Sequence, residues 1–476
     1  MSNVRTRFAP SPTGFLHVGG IRTALFAWLV ARQNDGQFVL RLEDTDKKRE
    51  VAGADKHLME SLKVLGLDYD EGPDKNGNFG PYRQSERLDV YNKWAQKLID
   101  EGRAYADPYS PEEVQAFRDE AKKNKQPFLY RNHRPDNPPK WDGTKPLRFK
   151  SDPKTYKWHD EVMGELSTGP EVIDDFVLMK TDGYPTYNFS HIVDDAEMEI
   201  THVIRSQEFI ASVPNYLNLY EALRLDRPIL ATVPSVMALE GTKKLSKRDG
   251  AKDVLDYVRD GYLPEALVSF LATLGWNDGT EQEVFTIDEL IEKFSLDRIQ
   301  KSGARFDERR LLWVNGHFIR QITLNDLYDK VENYWPKEAK DADDEYKKRV
   351  LSIVQERLKY FSELPELTQF FFMDLPINPE LISSNKKLKK LSNEELKILL
   401  EATVSKLEKS DFSVNDLKEK LNELLEETDT KPAVLFSLVR IAITQTPASP
   451  GLADTLNVLG KEKSISRIAK QIQALS

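Results

Sequence analysis

An α/β fold followed by a helical C-terminal third is predicted by two patterns in the chain. The first seventy residues alternate strand-like and helix-like signals, and beyond about Arg320 the sequence becomes charged and helical. Strand, helix, strand, helix in succession implies a parallel sheet covered on both faces. Apolar residues at helical spacing with interleaved Lys and Glu imply a separate all-helical region.

Val4 to Ala9 reads as the first strand, and the breakers Pro10, Pro12 and Gly14 end it. A helix follows from about Gly20 to Arg32, with Leu25, Trp28, Leu29 and Arg32 at helical spacing. Gly36 turns the chain into a second strand, Phe38 to Leu42, and a second helix runs from about Ala52 to Leu65, with Gly66 in the capping position. From Arg83 to Lys180 the pattern is broken by Pro127, Pro135, Pro138, Pro139, Pro146 and Pro153, as expected of an inserted domain. Strand-like runs resume at Phe176 to Met179, Thr186 to Phe189, Thr201 to Arg205 and Ile229 to Val233. Asn393 to Glu401 and Asp416 to Glu427 then show amphipathic helical periodicity. There is no internal repeat and no low-complexity tract.

Composition narrows the class. A chain of 476 residues with 39% hydrophobic and 31% charged residues is globular, with room for roughly two to four domains. A net charge of −10 argues against indiscriminate coating of nucleic acid, while leaving room for a selective RNA site built from local basic patches. With no cysteine, disulfides and Cys-based zinc sites are excluded. The charged N-terminus lacks an apolar signal core, and Ala24 to Ala31 is too short an apolar run to span a bilayer. A cytoplasmic protein with no membrane partner is the expectation.

Ligands of open α/β sheets bind beyond the carboxyl ends of the strands. That position holds Ala9-Pro-Ser-Pro-Thr-Gly-Phe-Leu-His-Val-Gly-Gly20, a turn entering a helix. A helix N-terminus offers unpaired N–H groups and the positive end of a dipole, both suited to phosphate. His17 adds a donor for charge growing on phosphate oxygens. The duller reading is a Pro/Gly turn whose histidine only caps the helix. A second element, Glu240-Gly-Thr-Lys-Lys-Leu-Ser-Lys-Arg-Asp-Gly250, places Lys244, Lys247 and Arg248 between glycines. Such a cationic loop can close on a triphosphate and neutralise leaving pyrophosphate, although basic surface loops are usually just solvated.

The two segments together resemble the HIGH and KMSKS signatures of class I aminoacyl-tRNA synthetases. The fuller strings resemble the bacterial-type glutamyl-tRNA synthetase family: RFAPSPTGFLHVGG from Arg7, LRLEDTD from Leu40, PYRQSER from Pro81, DGYPTYNF from Asp182, THVIR from Thr201 and KLSKR from Lys244. Val193 to Asp195, Gly261 to Leu267, Leu274 to Trp276 and Pro450 to Glu462 extend the likeness over almost the whole chain.

The resemblance implies ATP-dependent activation of L-glutamate to glutamyl-adenylate, with Mg²⁺, and transfer of the glutamyl group to the terminal adenosine of tRNA(Glu). It implies a Rossmann-like catalytic domain over residues 1–83 and 181–237, an acceptor-end-binding insert over 84–180, a stem-contact domain over 238–320, and a helical anticodon-binding region over 321–476. A monomer is expected. Arg7 and Arg205 would face the substrate carboxylates, Arg205 the side-chain one, since an arginine fork grips a carboxylate with two hydrogen bonds. Tyr187 would add a hydroxyl, Glu43 would meet the ammonium, and Ala9 and Ser11 would line the pocket. Singly, Arg7 also reads as a surface strand residue, Glu43 as part of an acidic turn and Tyr187 as core.

For ATP the family assigns His17, Gly19 and Gly20 to the phosphates, Lys244 and Lys247 to the closing loop, and Glu208 near the nucleotide. His17, Lys244 and Lys247 are the catalytic set. The chain departs from the family at Ser206 to Phe209 and at His191. It also lacks the Cys-based zinc knot that many relatives carry near the equivalents of Tyr105 and Tyr130, so no structural zinc is expected. Arg357 matches an anticodon-reading position associated with preference for tRNA(Glu), whereas relatives that also charge tRNA(Gln) tend to have glutamine there. Lys386, Lys387, Lys389 and Lys390 form a basic cluster that is either solvated or in contact with RNA.

Four other readings compete. A tRNA-modifying paralogue would lack the long C-terminal half, and a glutaminyl enzyme would carry a β-barrel there. A small-molecule nucleotidylyltransferase would need neither the helical region nor KLSKR at this spacing. A non-catalytic RNA-binding descendant would be expected to have lost part of the His17, Lys244, Lys247 set.

Overall fold

The computed structural model describes residues 4–241, 243–245 and 252–475. These form two compact units, Met1–Val258 with Pro264–Leu311, and Arg259–Leu263 with Leu312–Ser476. The first opens with β1 (Arg5–Phe8), α1 (Val18–Gln33), β2 (Gln37–Leu40) and α2 (Ala54–Val64). The insert segment follows as α3 (Leu88–Asp100), β3 (Ala104–Ala106), α4 (Pro111–Lys123), β4 (Leu147–Phe149), β5 (Tyr156–Asp160), β6 (Gly164–Thr168) and β7 (Val177–Met179). The chain then returns through α5 (Tyr187–Glu197), β8 (His202–Ser206), α6 (Val213–Leu223), β9 (Ile229–Val233) and β10 (Val236–Met237).

Parallel pairing gives a four-stranded sheet in the order β2-β1-β8-β9. Two of its strands lie before the insert and two after it, which brings Arg7 beside Ile204 and Arg205 although they are about two hundred residues apart in sequence. The turn before β2 requires Gly36, because a Cβ there would fall 2.3 Å from the carbonyl oxygen of Val4. α1 is buried almost all round, from Ile21 and Leu25 to Phe26 and Leu29. It packs against the sheet and also against α8 (Pro264–Ala272) and α9 (Ile287–Lys293), so it has no solvated face to keep polar.

One expected strand is a helix. Thr186 to Phe189 alternates over four residues, but continued to Asp195 the buried residues Phe189, Ile192 and Val193 recur at three- and four-residue spacing. Thr186 is the extended N-cap residue (φ −79°, ψ 159°) and the helix begins at Tyr187. Its apolar face joins Tyr91 and Leu98 of α3, Phe149 of β4 and Leu219 of α6 in one core, so the insert shares packing with the sheet layer.

The second unit is helical throughout its described residues, from α11 (Leu324–Lys330) and α12 (Asp344–Val354) to α13 (Leu364–Phe372) and α14 (Glu380–Ser383). It ends in α15 (Asn393–Glu408), α16 (Val414–Glu427), α17 (Pro432–Thr444), α18 (Leu452–Leu459) and α19 (Lys461–Leu475). Leu396, Leu400 and Leu407 of α15 and Leu417, Leu421 and Leu424 of α16 form the buried stripes predicted by periodicity. Ser392 and Glu395 close a reciprocal capping box at the start of α15.

Candidate active site

A cavity of about 380 Å³ opens at the carboxyl ends of β1, β8 and β9. Its lining brings together Arg7, Ala9, Ser11, His17, Gly19, Gly20, Glu43, Tyr187, Arg205, Glu208 and Lys244. Lys247 and Arg248 lie outside the described residues. Arg357 belongs to the second unit.

At the turn, His17 is the N-cap of α1, and its Nδ1 accepts the N–H of Gly19 at 3.1 Å. With Nδ1 accepting, a neutral ring must carry its proton on Nε2, so that nitrogen is a donor. One nitrogen of the ring thus caps the helix while the other is a hydrogen-bond donor. No acidic residue occupies the first turn of α1 to offset the positive end of its dipole. A Cβ at Gly19 would sit 3.2 Å from His17 Cε1, which leaves little room for any other residue.

Lys244 reaches the cavity from a tight hairpin, in which Leu245 N–H donates to Val236 and Ala238 N–H to Lys243. Its Nζ lies 2.9 Å from Glu208 Oε2, with both side chains about half exposed. Glu208 therefore lines the cavity as the partner of Lys244. A pair this exposed is worth little, about 0–1 kcal/mol, and yields readily to a phosphate.

The other end of the cavity is lined by buried charge. Arg205 is 7% exposed, with no carboxylate partner among the described residues, and its guanidinium lies over the rings of Tyr216 (5.1 Å) and Phe209 (5.8 Å). Arg7, by contrast, is already paired: its Nε and Nη2 donate to Asp195 at 3.1 and 3.5 Å. Glu43 is positioned by its N–H, which donates to the Pro10 carbonyl at 3.0 Å. Burial raises the Glu43 carboxyl to about 7, against the pull of Arg41 and Arg7. Tyr187 stacks on His191 (4.7 Å), and His191 Nδ1 donates to the Tyr187 carbonyl at 2.7 Å. Burial lowers His191 to about 3, so it stays neutral at physiological pH.

Sequence reasoning missed the residues that hold these groups in place. Arg41 is fully buried and donates to Asp195 (2.8 Å) and Glu43 (3.1 Å). Burial opposes its charge, but Asp195, Asp194 and Glu43 outweigh that and hold Arg41 ionised. Burial likewise disfavours ionised Asp195, yet Arg7 and Arg41 bring its carboxyl down to about 2. Asp194 accepts from Gln84, Arg87 and Tyr91, each at 2.8 Å, tying the start of α3 to the same helix. The available signal was a pair of adjacent carboxylates, Asp194 and Asp195, directly after the apolar Ile192 and Val193.

In the insert, Tyr105 and Tyr130 each bond a buried carboxylate. Tyr105 Oη donates to Asp175 at 2.8 Å, while Arg134 binds Asp175 through Nε and Nη2 at 2.7 and 2.6 Å. Tyr130 Oη donates to Asp107, which also accepts Arg148 Nε at 2.6 Å, and the Arg148 guanidinium lies 3.4 Å from the Tyr130 ring centre. In the second unit Arg357 is exposed, and after burial its like charge is the further cause that lowers Arg440. Lys386, Lys387, Lys389 and Lys390 are exposed. Among the described residues no group of three or more His, Asp or Glu side chains could hold a metal ion, and no helix is long and apolar enough to cross a membrane.

Comparison with known proteins agrees over the full length. Residues 3–313 match the catalytic domain of class I tRNA synthetases (E and Q), and residues 326–472 match an anticodon binding domain. A glutamate–tRNA ligase of Dehalococcoides mccartyi is 40% identical over 484 residues, covering 100% of this chain and 98% of that protein. One from Clostridium botulinum is 40% identical and covers 100% and 99%. The crystal structure of a glutamate–tRNA ligase from Elizabethkingia meningosepticum, in complex with its amino acid, superposes with a TM-score of 0.87 at 32% identity, over 100% of both chains. With a cavity at the carboxyl edge of a parallel sheet, a histidine-capped turn beside it and a helical second unit already in place, the chain belongs to the class I aminoacyl-tRNA synthetases of the glutamate and glutamine group.

Proposed function

We infer that this protein is an ATP-dependent glutamate–tRNA ligase, which activates L-glutamate as glutamyl-adenylate and passes the glutamyl group to the terminal adenosine of tRNA(Glu). The observation that carries the amino-acid choice is Arg205, a buried cation with no ion-pair partner among the described residues, in a cavity that also presents His17. A carboxylate on the substrate side chain supplies the missing charge, as a charge-assisted pair. Arg7 meets the α-carboxylate and Glu43 the ammonium, with Ala9, Ser11 and Tyr187 shaping the pocket around them. His17 Nε2, the Gly19 and Gly20 backbone and Lys244 receive the triphosphate, with Lys247 assigned by sequence alone. Mg²⁺ would accompany ATP on its phosphates. A cytoplasmic monomer acting on tRNA(Glu) remains the reading of choice.

The test is ATP–pyrophosphate exchange with glutamate or glutamine, with and without tRNA(Glu). Exchange with glutamate in the presence of tRNA is expected, and its absence would overturn the reading. Arg205→Ala should weaken glutamate by at least about a hundredfold in kcat/KM, as for loss of one partner of a buried charge pair. A near-normal KM for glutamate in that variant would remove the pocket assignment.

A further inference from the structure

We propose that His57 is a positioning residue for the nucleotide-binding turn, acting on His17 through Asp253. The proposal rests on the reading of His17 as a phosphate ligand. His57 projects from α2 and lies against both segments that meet at the turn. Its Nε2 is 2.9 Å from Asp253 Oδ1, with the two side chains only 17% and 10% exposed. Asp253 in turn forms an antiparallel backbone bridge with His17. On the other side, the His57 ring packs at 4.6 Å on Phe15, two residues before His17. One imidazole therefore braces His17 from its own chain segment and from the segment paired with it.

The link is also costly in a way that packing alone does not explain. Asp253 Oδ1 accepts from Leu255 N–H at 2.9 Å as well as from His57. Asp253 Oδ2 and His57 Nδ1 are both buried, and neither has a hydrogen-bond partner among the described residues. A buried polar pair left half satisfied is no more stable than a well-packed apolar one, and orphaned buried atoms ask for a functional account. Fixing the bridge has a direct geometric consequence. The direction of His17 Nε2 follows from its N-cap backbone and its Nδ1 bond to Gly19, so backbone movement at residue 17 re-aims the donor. Small misplacements of such donors are expensive in phosphate binding.

The test compares His57→Leu, His57→Gln and Asp253→Ser in the full chain. Serine at 253 can still accept from Leu255 N–H but is too short to reach His57, so it removes only the link. ATP affinity is measured by equilibrium dialysis, which assumes nothing about the amino acid, and KM values for ATP and glutamate are measured by exchange. His57→Leu and Asp253→Ser should each weaken ATP by about fivefold, the order expected for one buried charge-assisted hydrogen bond. The glutamate KM should stay within about twofold, and His57→Gln, which keeps a donor for Asp253, should recover most of the loss. ATP affinity unchanged in both the Leu and Ser variants would overturn the proposal. So would parallel loss of glutamate and ATP, or a Gln variant no better than Leu, since each marks a purely structural role. Should His57→Leu fail to fold, Asp253→Ser decides alone. Should the parent bind ATP but exchange nothing with glutamate, the functional reading fails while dialysis still judges His57.

Discussion

Three charged side chains in one cavity have three different fates. Arg7 is neutralised in advance by Asp195, Arg205 has only ring faces beneath it, and Glu43 is buried until its carboxyl rises to about 7. On the proposed reading, in which Glu43 meets the ammonium, it sets the pH dependence of glutamate binding. An ammonium needs the ionised form, and below pH 7 the empty site holds that carboxyl protonated, so binding must release a proton. The KM for glutamate should be about tenfold higher at pH 6 than at pH 8, and Glu43→Gln should flatten that slope while weakening binding at pH 8. A wild-type KM that is flat over this range would show that Glu43 does not meet the ammonium. The same shift acts on stability in the opposite sense. A raised carboxyl favours the folded state below its unfolded pKa, and that contribution fades as pH rises through about 7. At this scale the cavity-lining residues were legible, because motif and chemistry both point at them. Arg41 and Asp195 were not, since their pairing spans 154 positions and no single-sequence pattern encodes it.

Among the elements, α5 best shows where local pattern runs out. Four alternating residues look like strand, and only the longer run through Asp195 exposes the helical period. The strands β1, β2, β8 and β9 were readable because each is a short run in which β-branched or aromatic residues recur. The insert was readable only as a break, and its Tyr–Asp–Arg clusters are visible only in the folded chain. Those clusters carry a prediction of their own. Burial disfavours ionised Asp175, but Arg134 and the Ser151 groups hold its carboxyl below the usual range. Asp175→Asn should destabilise the protein by about 2 kcal/mol, because it leaves Arg134 and Tyr105 short of a partner. Thermal melts in the presence of a strong zinc chelator should match those without it. A chelator-induced drop in Tm would instead place a metal in the insert. The Asp175 contribution should vanish as pH falls through its depressed pKa.

For the whole molecule, a net charge of −10 makes tRNA binding a matter of local patches. In the second unit such a patch forms where exposed Arg357 adds its field to Arg440, whose Nε donates to Ser449 Oγ at 3.0 Å. Two like charges that act on one another favour an arriving phosphate or the acceptor edge of a base. Arg357→Gln should raise charging of tRNA(Gln) relative to tRNA(Glu) by about tenfold in kcat/KM, the order of one lost arginine contact to a base. Unchanged relative kcat/KM for the two tRNAs would remove Arg357 from the discriminating set. The helical character of this unit was plain from its leucine periodicity, whereas the approach of Arg357 to Arg440 depends on tertiary packing that periodicity does not reach.

The rings under Arg205 bear on fidelity. Tyr216 and Phe209 offer the guanidinium a weak, fixed electrical ground that is the same whichever amino acid enters. On the proposed reading, glutamine fits the same space as glutamate, yet its uncharged amide would leave that buried cation without an ion-pair partner among the described residues. Rejection of the near-identical competitor then needs no tighter walls and no second, proofreading chamber. It follows from a debt of one unit charge that only the acid can settle.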